Sequence, residues 1–450
     1  MHYCHKSELR RFSTRTPYLL GIALLTIFAA GFAGDARADR QVTVTPSLFG
    51  VSESDFTPAQ ICRRCHPDHF EMWSNSMHAM ALQDPMFQVS FLQAQAAEGI
   101  GVRNYCLTCH APVAASNQDY ALTLGLTGEA VACDFCHTVT GVHPGRKPLP
   151  YDNQPGATKF GPIDAASTPA HHSQNSQLFK RSEFCSGCHE LVNEQGVLVM
   201  GTYTEWREGP YPDEDIQCQN CHMPLTMRPT AITFDGDTLP NLAHDHSFQG
   251  GHSQINLKHA ATLESYVQIS GASAQIEIFI TNKESGHKLP TGTPARRVVL
   301  KVSVLDQNGK LLAQPTRTYR KVLVDRDGAI LEGNSNQILN SVRIYSDNRI
   351  APRERRREAF LVDLPPNTTG VTMSAELIYE FETPVMYTQM IQTEMASIRG
   401  NYAVNHAAPM AKAKSPVILQ VILIGILILA LLFGLVFLLL RHFKASRPLA

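Results

Sequence analysis

Ten cysteines of this chain stand in five Cys-x-x-Cys-His groups: Cys62-Cys65-His66, Cys106-Cys109-His110, Cys133-Cys136-His137, Cys185-Cys188-His189 and Cys218-Cys221-His222. Two thiols three positions apart share one face of a helical turn. Together they can bond both vinyl groups of one porphyrin, and the His that follows reaches the iron. A single Cys-x-x-Cys pair suits zinc or a redox disulfide as well. Five in succession, each followed by His in a chain with 19 His among 450 residues, point instead to five covalently attached haem c groups.

Each iron has a second axial position, and its occupant separates a wire from an enzyme. His closes the site at low potential, Met raises the potential, and a vacancy admits a small molecule. Outside the motifs, His2 and His5 lie near the N-terminus, and His406 and His442 flank an apolar C-terminal run. Of the His171-His172 pair ahead of the fourth motif, His171 is taken as a ligand. In His244-Asp245-His246 and His252, after the fifth motif, His246 and His252 are taken as ligands and His244 as a partner for a propionate. His287, between Gly and Lys ahead of Pro-Thr-Gly, is either a turn residue or a ligand, and as a ligand it would dock a second domain on the haems. His69, His143 and His259 are reserves, with Met77, Met80 and Met223 weaker alternatives.

The elements that carry these residues change character along the chain. Residues 39–259 are irregular and rich in Gly, Pro, Asn and His, too poor in periodic apolar runs for an ordinary core. A pentahaem domain of short helices and loops is expected, with porphyrins filling the interior. Gaps of 22 residues between His110 and Cys133 and 28 between His189 and Cys218, against 39 and 47 elsewhere, predict that motifs 2 and 3, and 4 and 5, form close pairs.

Residues 260–382 alternate apolar and polar, as in Gln275-Ile276-Glu277-Ile278-Phe279-Ile280 and Val298 to Leu305. Turn signals at Asp306-Gln307-Asn308-Gly309 and Asp325-Arg326-Asp327-Gly328 divide the runs, so a β-sandwich of about seven strands is expected. Arg353, Arg355, Arg356 and Arg357 read as a solvated loop between two strands, or more sharply as a contact for anionic lipid or an acidic partner. Residues 383–416 read as a connector.

Both ends carry targeting signals. Lys6, Arg10, Arg11 and Arg15 precede an apolar run and then Ala36-Arg37-Ala38, so residues 1–38, with Cys4, form an expected signal peptide. Arg10-Arg11 also invites a twin-arginine reading, but its surroundings fit ordinary secretion better. Haem capture by exported thiols implies the periplasm. The 24 residues of 417–440 include only Gln420 as a strongly polar residue, and as a helix they would span roughly 36 Å against a hydrocarbon core of about 30 Å. Arg441, Lys444 and Arg447 then place the 441–450 tail in the cytoplasm. The fold class is therefore multidomain: a mainly α and irregular multihaem cytochrome c domain, a β-sandwich domain and one C-terminal transmembrane helix. A net charge of −1 gives no argument for nucleic acid, and there is no P-loop, dinucleotide fingerprint or H-E-x-x-H site.

Several stretches resemble the cytochrome c-554 family of multihaem cytochromes, a class related to hydroxylamine oxidoreductase. They are Cys62-x-x-Cys65-His66 with Trp73-Ser74-x-Ser76-x-His78-Ala79; Cys133-Asp134-Phe135-Cys136-His137-Thr138-Val139; Ser182-Glu183-Phe184-Cys185-x-x-Cys188-His189 with Tyr203-x-Glu205-Trp206; and Cys218-Gln219-Asn220-Cys221-His222-Met223-Pro224. The likeness covers about residues 55–255. Gly286-His287-Lys288-Leu289-Pro290-Thr291-Gly292 resembles the opening of a β-domain often fused to such cytochromes. The resemblance implies a stacked haem array for electron transfer, and His78 matches a family ligand position. The tetrahaem members carry one motif fewer and the eight-haem oxidoreductases three more, so neither haem arrangement nor catalysis carries over.

Two functions follow. The first is a membrane-anchored electron carrier between redox partner proteins, a quinol-oxidising or a terminal oxidoreductase. The second is an oxidoreductase acting on a small nitrogen or sulfur compound at one open haem. No Cys-x-x-Cys-Lys variant is present, which weighs against nitrite ammonification. A third reading is a scaffold whose β-domain binds a partner protein.

Overall fold

Proline opens three helices of the first region, Pro67–Ser74, Pro85–Glu98 and Pro112–Asn117. Its fixed φ suits a first turn, and its missing N–H has no intrahelical partner to lose there. Asp84 caps the longest of them, accepting from the backbone N–H of Met86 and of Phe87 at 3.3 Å each. The motifs sit on helical turns as their spacing requires. The second ends the helix Val102–His110, and the last three lie in Cys133–His137, Glu183–His189 and Cys218–His222. The first follows Ala59–Cys62, where His66 N–H still reaches Cys62 O at 2.8 Å.

This computed structural model describes residues 46–404 apart from 53, 146–148, 165–167, 233–235 and 382–390. The expected signal peptide 1–38, transmembrane segment 417–440 and tail 441–450 lie outside the described residues, as do His406 and His442. Among the described residues no helix is long and apolar enough to cross a membrane.

Apolar clusters in the first region are small, such as Leu82, Phe87, Phe91 and Leu107, or Phe56, Val113, Phe135 and Tyr151. The β region is different: there one cluster joins Ile276, Ile278 and Ile280 to Val298, Leu300, Val302, Met373 and Leu377, all 0% exposed. The strands supplying it form two antiparallel sheets. One has the order Arg355–Asp363, Ser273–Asn282, Ala261–Ser270. The other runs Leu311–Ala313, Arg296–Asp306, Gly370–Phe381, Ile391–Ala403, with Thr316–Tyr319 also on Arg296–Asp306. Alternate residues of each central strand point into the shared core, which is what a period of two produces.

Three expectations change. The segment 383–416 was expected as a connector, but Ile391–Ala403 pairs along the whole of Gly370–Phe381. Its polar residues, such as Glu394, Ser397 and Arg399, fall on an edge strand, where one face meets water. The arginine run is not a loop either, because Arg355, Arg356 and Arg357 open the strand Arg355–Asp363. Each cation there meets a carboxylate: Arg353 with Glu214, Arg355 with Glu264, Arg356 with Glu354 and Arg357 with Glu277, at 2.5–2.9 Å. Finally, the region read as irregular contains the hairpin Leu225–Ile232 with Thr238–His244.

The two regions are bolted together by buried polar contacts. Lys321 Nζ donates to Leu198 O and Val199 O at 3.1 and 3.0 Å. Asn193 Nδ2 donates to Ser341 O at 2.7 Å, and Arg349 meets Glu205 at 2.7 Å.

Candidate haem-binding site

One cavity of about 2160 Å³ is lined by cysteines and the His of all five motifs, well above the roughly 300–1,000 Å³ of an ordinary ligand pocket. Imidazoles face one another across it in four pairs. The ring centres of His66 and His171 are 6.2 Å apart, and those of His78 and His189, His137 and His246, and His222 and His287 are each 6.3 Å apart. Two imidazoles on opposite sides of one metal ion would stand at about this distance, since a metal–imidazole bond is about 2.0–2.1 Å and the ring adds about 1.1 Å on each side. Each pair joins one motif His to one His from elsewhere, namely His171, His78, His246 or His287.

Hydrogen bonds set the tautomer of most of these rings. Nδ1 of His66, His137 and His222 lies 2.5, 2.7 and 2.5 Å from the carbonyl oxygens of Thr230, Phe160 and Gln249. Nδ1 of His246 and His171 likewise meets His244 O at 2.8 Å and His172 O at 3.1 Å. A carbonyl only accepts, so Nδ1 carries the hydrogen and Nε2 keeps the lone pair that binds metal. Burial reinforces this by disfavouring the cation: it pushes His78, His246 and His287 down to about 3 and His189 to about 4. Neutral imidazole is the ligating form.

The attachment helices touch in an order the sequence spacing does not follow. Cys62 lies against Cys133, Cys109 against Cys188 and Cys185 against Cys218. The short gap between motifs 4 and 5 thus matches a contact, whereas the thiol contacts of motifs 2 and 3 are with motifs 4 and 1. Long-range hydrogen bonds explain this. Thr57 N–H, just before the first motif, donates to Asp134 Oδ2 inside the third at 2.7 Å, and Lys159 lies 2.6 Å from the other oxygen. Ser182 N–H donates to Gln217 Oε1 at 2.9 Å, and Cys218 N–H returns to Ser182 Oγ at 3.0 Å, which locks motif 4 to motif 5. Burial raises the Cys106 and Cys136 thiols to about 11 and about 12. Among the described residues nine motif cysteines are free thiols, the form that bonds a porphyrin vinyl group.

Residues 61–138, which hold the first three motifs, match the family model described as cytochrome c554 and c-prime. Over that segment the chain resembles the cytochrome c554 family of multihaem c-type cytochromes. A solved structure described as a penta-heme cytochrome c552 from Thermochromatium tepidum is similar over 77% of this chain and 99% of that one, at 23% identity and a TM-score of 0.62. That likeness is one of fold, through both the helical region and the β-rich region that follows it. A β-glucuronidase of glycoside hydrolase family 2 and the C-terminal domain of wzt align with 32% and 33% of the chain at TM-scores of 0.17 and 0.19, too low to carry an argument. No curated protein matches.

In this cytochrome His110 differs from the other motif histidines. Its Nδ1 meets Ala81 O at 3.0 Å, but its ring neighbour is Phe87, stacked at 3.8 Å and 16°. Among the described residues no His is in ring contact with it. His252, expected as a ligand, lines the same cavity but pairs with no motif imidazole among the described residues. Burial lowers the His252 imidazole, with Arg296 acting the same way and Asp84 opposing, and the same Asp84 carboxylate acts on His110. Of the reserves, His143 pairs with Asp152 at 2.5 Å and His259 lies 3.9 Å from Glu284. His69 is half-buried, edge-on to His246 at 4.8 Å and to His66 at 6.1 Å. Nδ1 of His244, expected near a propionate, meets Met223 O at 2.6 Å.

Phe87, Asp134 and Glu205 escaped the search for functional residues. Asp134 and Glu205 lie in stretches that carry the family resemblance, which was the available signal. Phe87 had none.

Proposed function

We propose that this cytochrome is a membrane-anchored periplasmic protein with five haem c groups that relays electrons between redox partner proteins. The observation that carries this reading is the set of four imidazole pairs at 6.2–6.3 Å. Haem supplies one-electron chemistry at iron. The chain's part is to close the axial positions with neutral imidazoles, so that no substrate binds and little rearranges when charge moves. The thiol contacts support an array in which motif 1 neighbours 3, motif 2 neighbours 4, and 4 neighbours 5. The C-terminal segment 417–440 is the proposed anchor, with the body outside and the tail in the cytoplasm. A quinol-oxidising or terminal oxidoreductase is the proposed partner, and nucleic acid is not.

The test is haem stoichiometry by pyridine haemochrome together with the EPR spectrum of the oxidised, membrane-extracted protein. Five haems per chain, at least four of them low-spin, are expected. A stoichiometry of four or fewer in fully matured protein would overturn the pentahaem reading, and recovery from the cytoplasmic fraction would overturn the location.

His110 favours a second reading, an oxidoreductase on a small nitrogen or sulfur compound at the second motif. What supports it is Phe87, rather than a second imidazole, as the ring neighbour of His110. A high-spin ferric signal that shifts with nitrite, hydroxylamine or cyanide is its expected signature; a wholly low-spin spectrum sinks it.

A further inference from the structure

Helix Thr202–Arg207 belongs to the helical region, between motifs 4 and 5, yet its Glu205 is spent on the β region. Glu205 Oε2 accepts from the backbone N–H of Lys288 at 3.2 Å and from the Thr291 hydroxyl at 2.6 Å. Oε1 lies 2.7 Å from Arg349 Nη1, and both side chains are nearly sealed from water, at 6% and 4% exposure. Arg349 in turn donates to Pro290 O at 3.1 Å and grips Asp347 with two bonds of 2.7 and 2.8 Å. Every one of these contacts falls on, or braces, the segment 288–291 that directly follows His287.

Among the described residues the His287 ring has only local hydrogen bonds, to Ser285 Oγ at 2.9 Å and Lys288 O at 3.1 Å, while its carbonyl accepts from Asn282 Nδ2 at 2.9 Å. Nothing in those bonds refers its ring to His222, which belongs to the other region. Glu205 does: it sits 13 residues before Cys218 in the chain and holds the Lys288 N–H one peptide from the ring. A buried carboxylate that binds a backbone N–H, a hydroxyl and a guanidinium at once is costly to desolvate. It persists only where all three partners are present, so it responds to whether the 288–291 segment is seated.

We propose that Glu205 is a positioning residue for the fifth motif's haem, holding the β region's His287 opposite His222. The proposal rests on the reading of His222 and His287 as two axial ligands. The holding is electrostatic and geometric: Glu205 touches neither ring. Its removal takes the carboxylate from the Lys288 N–H and the Thr291 hydroxyl and leaves Arg349 with Asp347 and Pro290 O.

The test uses full-length, haem-loaded protein and reads the high-spin ferric EPR signal and total haem, each against the parent. His287→Gly is expected to add one haem's worth of high-spin signal. Glu205→Ala is expected to add a comparable increment with total haem unchanged, reversed by added imidazole. Glu205→Gln, which keeps an acceptor oxygen but not the charge, should fall between. No increment in His287→Gly overturns the ligation reading and the proposal with it. An increment in His287→Gly but none in Glu205→Ala overturns the proposal alone, whatever the change in thermal stability. If Glu205→Ala does not accumulate, Thr291→Val replaces it: a partial increment supports the proposal and an unchanged spectrum overturns it.

Discussion

The backbone N–H of Thr57 donates to the Asp134 carboxylate at 2.7 Å across 77 residues of sequence, and that single bond ties the turn before the first motif to the interior of the third. Asp134 is 2% exposed and also faces Lys159 at 2.6 Å. Two haem-attachment sites distant in sequence are therefore neighbours because one buried carboxylate has a partner on each side.

Asp134→Ala should destabilise the protein by about 3–5 kcal/mol, since it leaves the Lys159 ammonium with Gly156 O alone and the N–H of Thr57 without its acceptor. Asp134→Asn, which keeps an acceptor oxygen for Thr57, should lose less. Chemical denaturation followed by near-UV circular dichroism checks the order; equal losses would show that the charge pair is the whole effect.

Single replacement of His78, His171 or His246 by Ala should each convert one low-spin haem to high-spin, with little loss of attached haem. His252→Ala should leave the low-spin content as in the parent, because His252 opposes no motif imidazole. EPR spin quantification decides, and a high-spin increment in His252→Ala would make it a ligand.

Lys321 carries a pH signature. Burial between the regions, with the cation beside Arg349, lowers it to about 8 from an ordinary 10.5. Between pH 8 and 10.5 the unfolded chain then binds more protons at this site than the native one, so stability rises with pH across that window. The rise is about 3 kcal/mol, from about 1.4 kcal/mol per pH unit. Denaturation midpoints of the parent and Lys321→Met at pH 8 and pH 10 isolate it: the difference between the two proteins should shift in the parent's favour at pH 10.

The arginines of the strand Arg355–Asp363 should matter little to stability. Arg355→Ala and Arg357→Ala each break an ion pair whose arginine is about half exposed, worth on the order of 1 kcal/mol or less. Thermal melts that fall by more than a few degrees would point to a role in packing, such as Arg355 over the Phe279 ring at 3.7 Å.

Much of the site was legible because covalent haem attachment is a local code. The two thiols and the His must share one helical turn, and the structure puts each motif on such a turn. The sandwich was legible for the same kind of reason, as the alternation at Gln275 to Ile280 and Val298 to Leu305 is itself the two faces of a strand. Its last strand, Ile391–Ala403, was not. An edge strand needs only one apolar face, and Thr393, Glu394, Ser397 and Arg399 dilute the pattern below recognition. The arginine run failed differently: four cations in five residues look solvated until Glu214, Glu264 and Glu277 arrive from elsewhere in the chain.

The sequence alone determined which residues can hold haem and where the β region begins, because thiol spacing and strand periodicity are properties of neighbours along the chain. Only the tertiary structure decided which imidazole faces which, that motif 1 touches 3 and motif 2 touches 4, and that the ring beside His110 is that of Phe87. Those relationships depend on single long-range contacts, Thr57 with Asp134, Ser182 with Gln217 and Glu205 with the segment after His287, and no local pattern encodes the partner of a buried carboxylate.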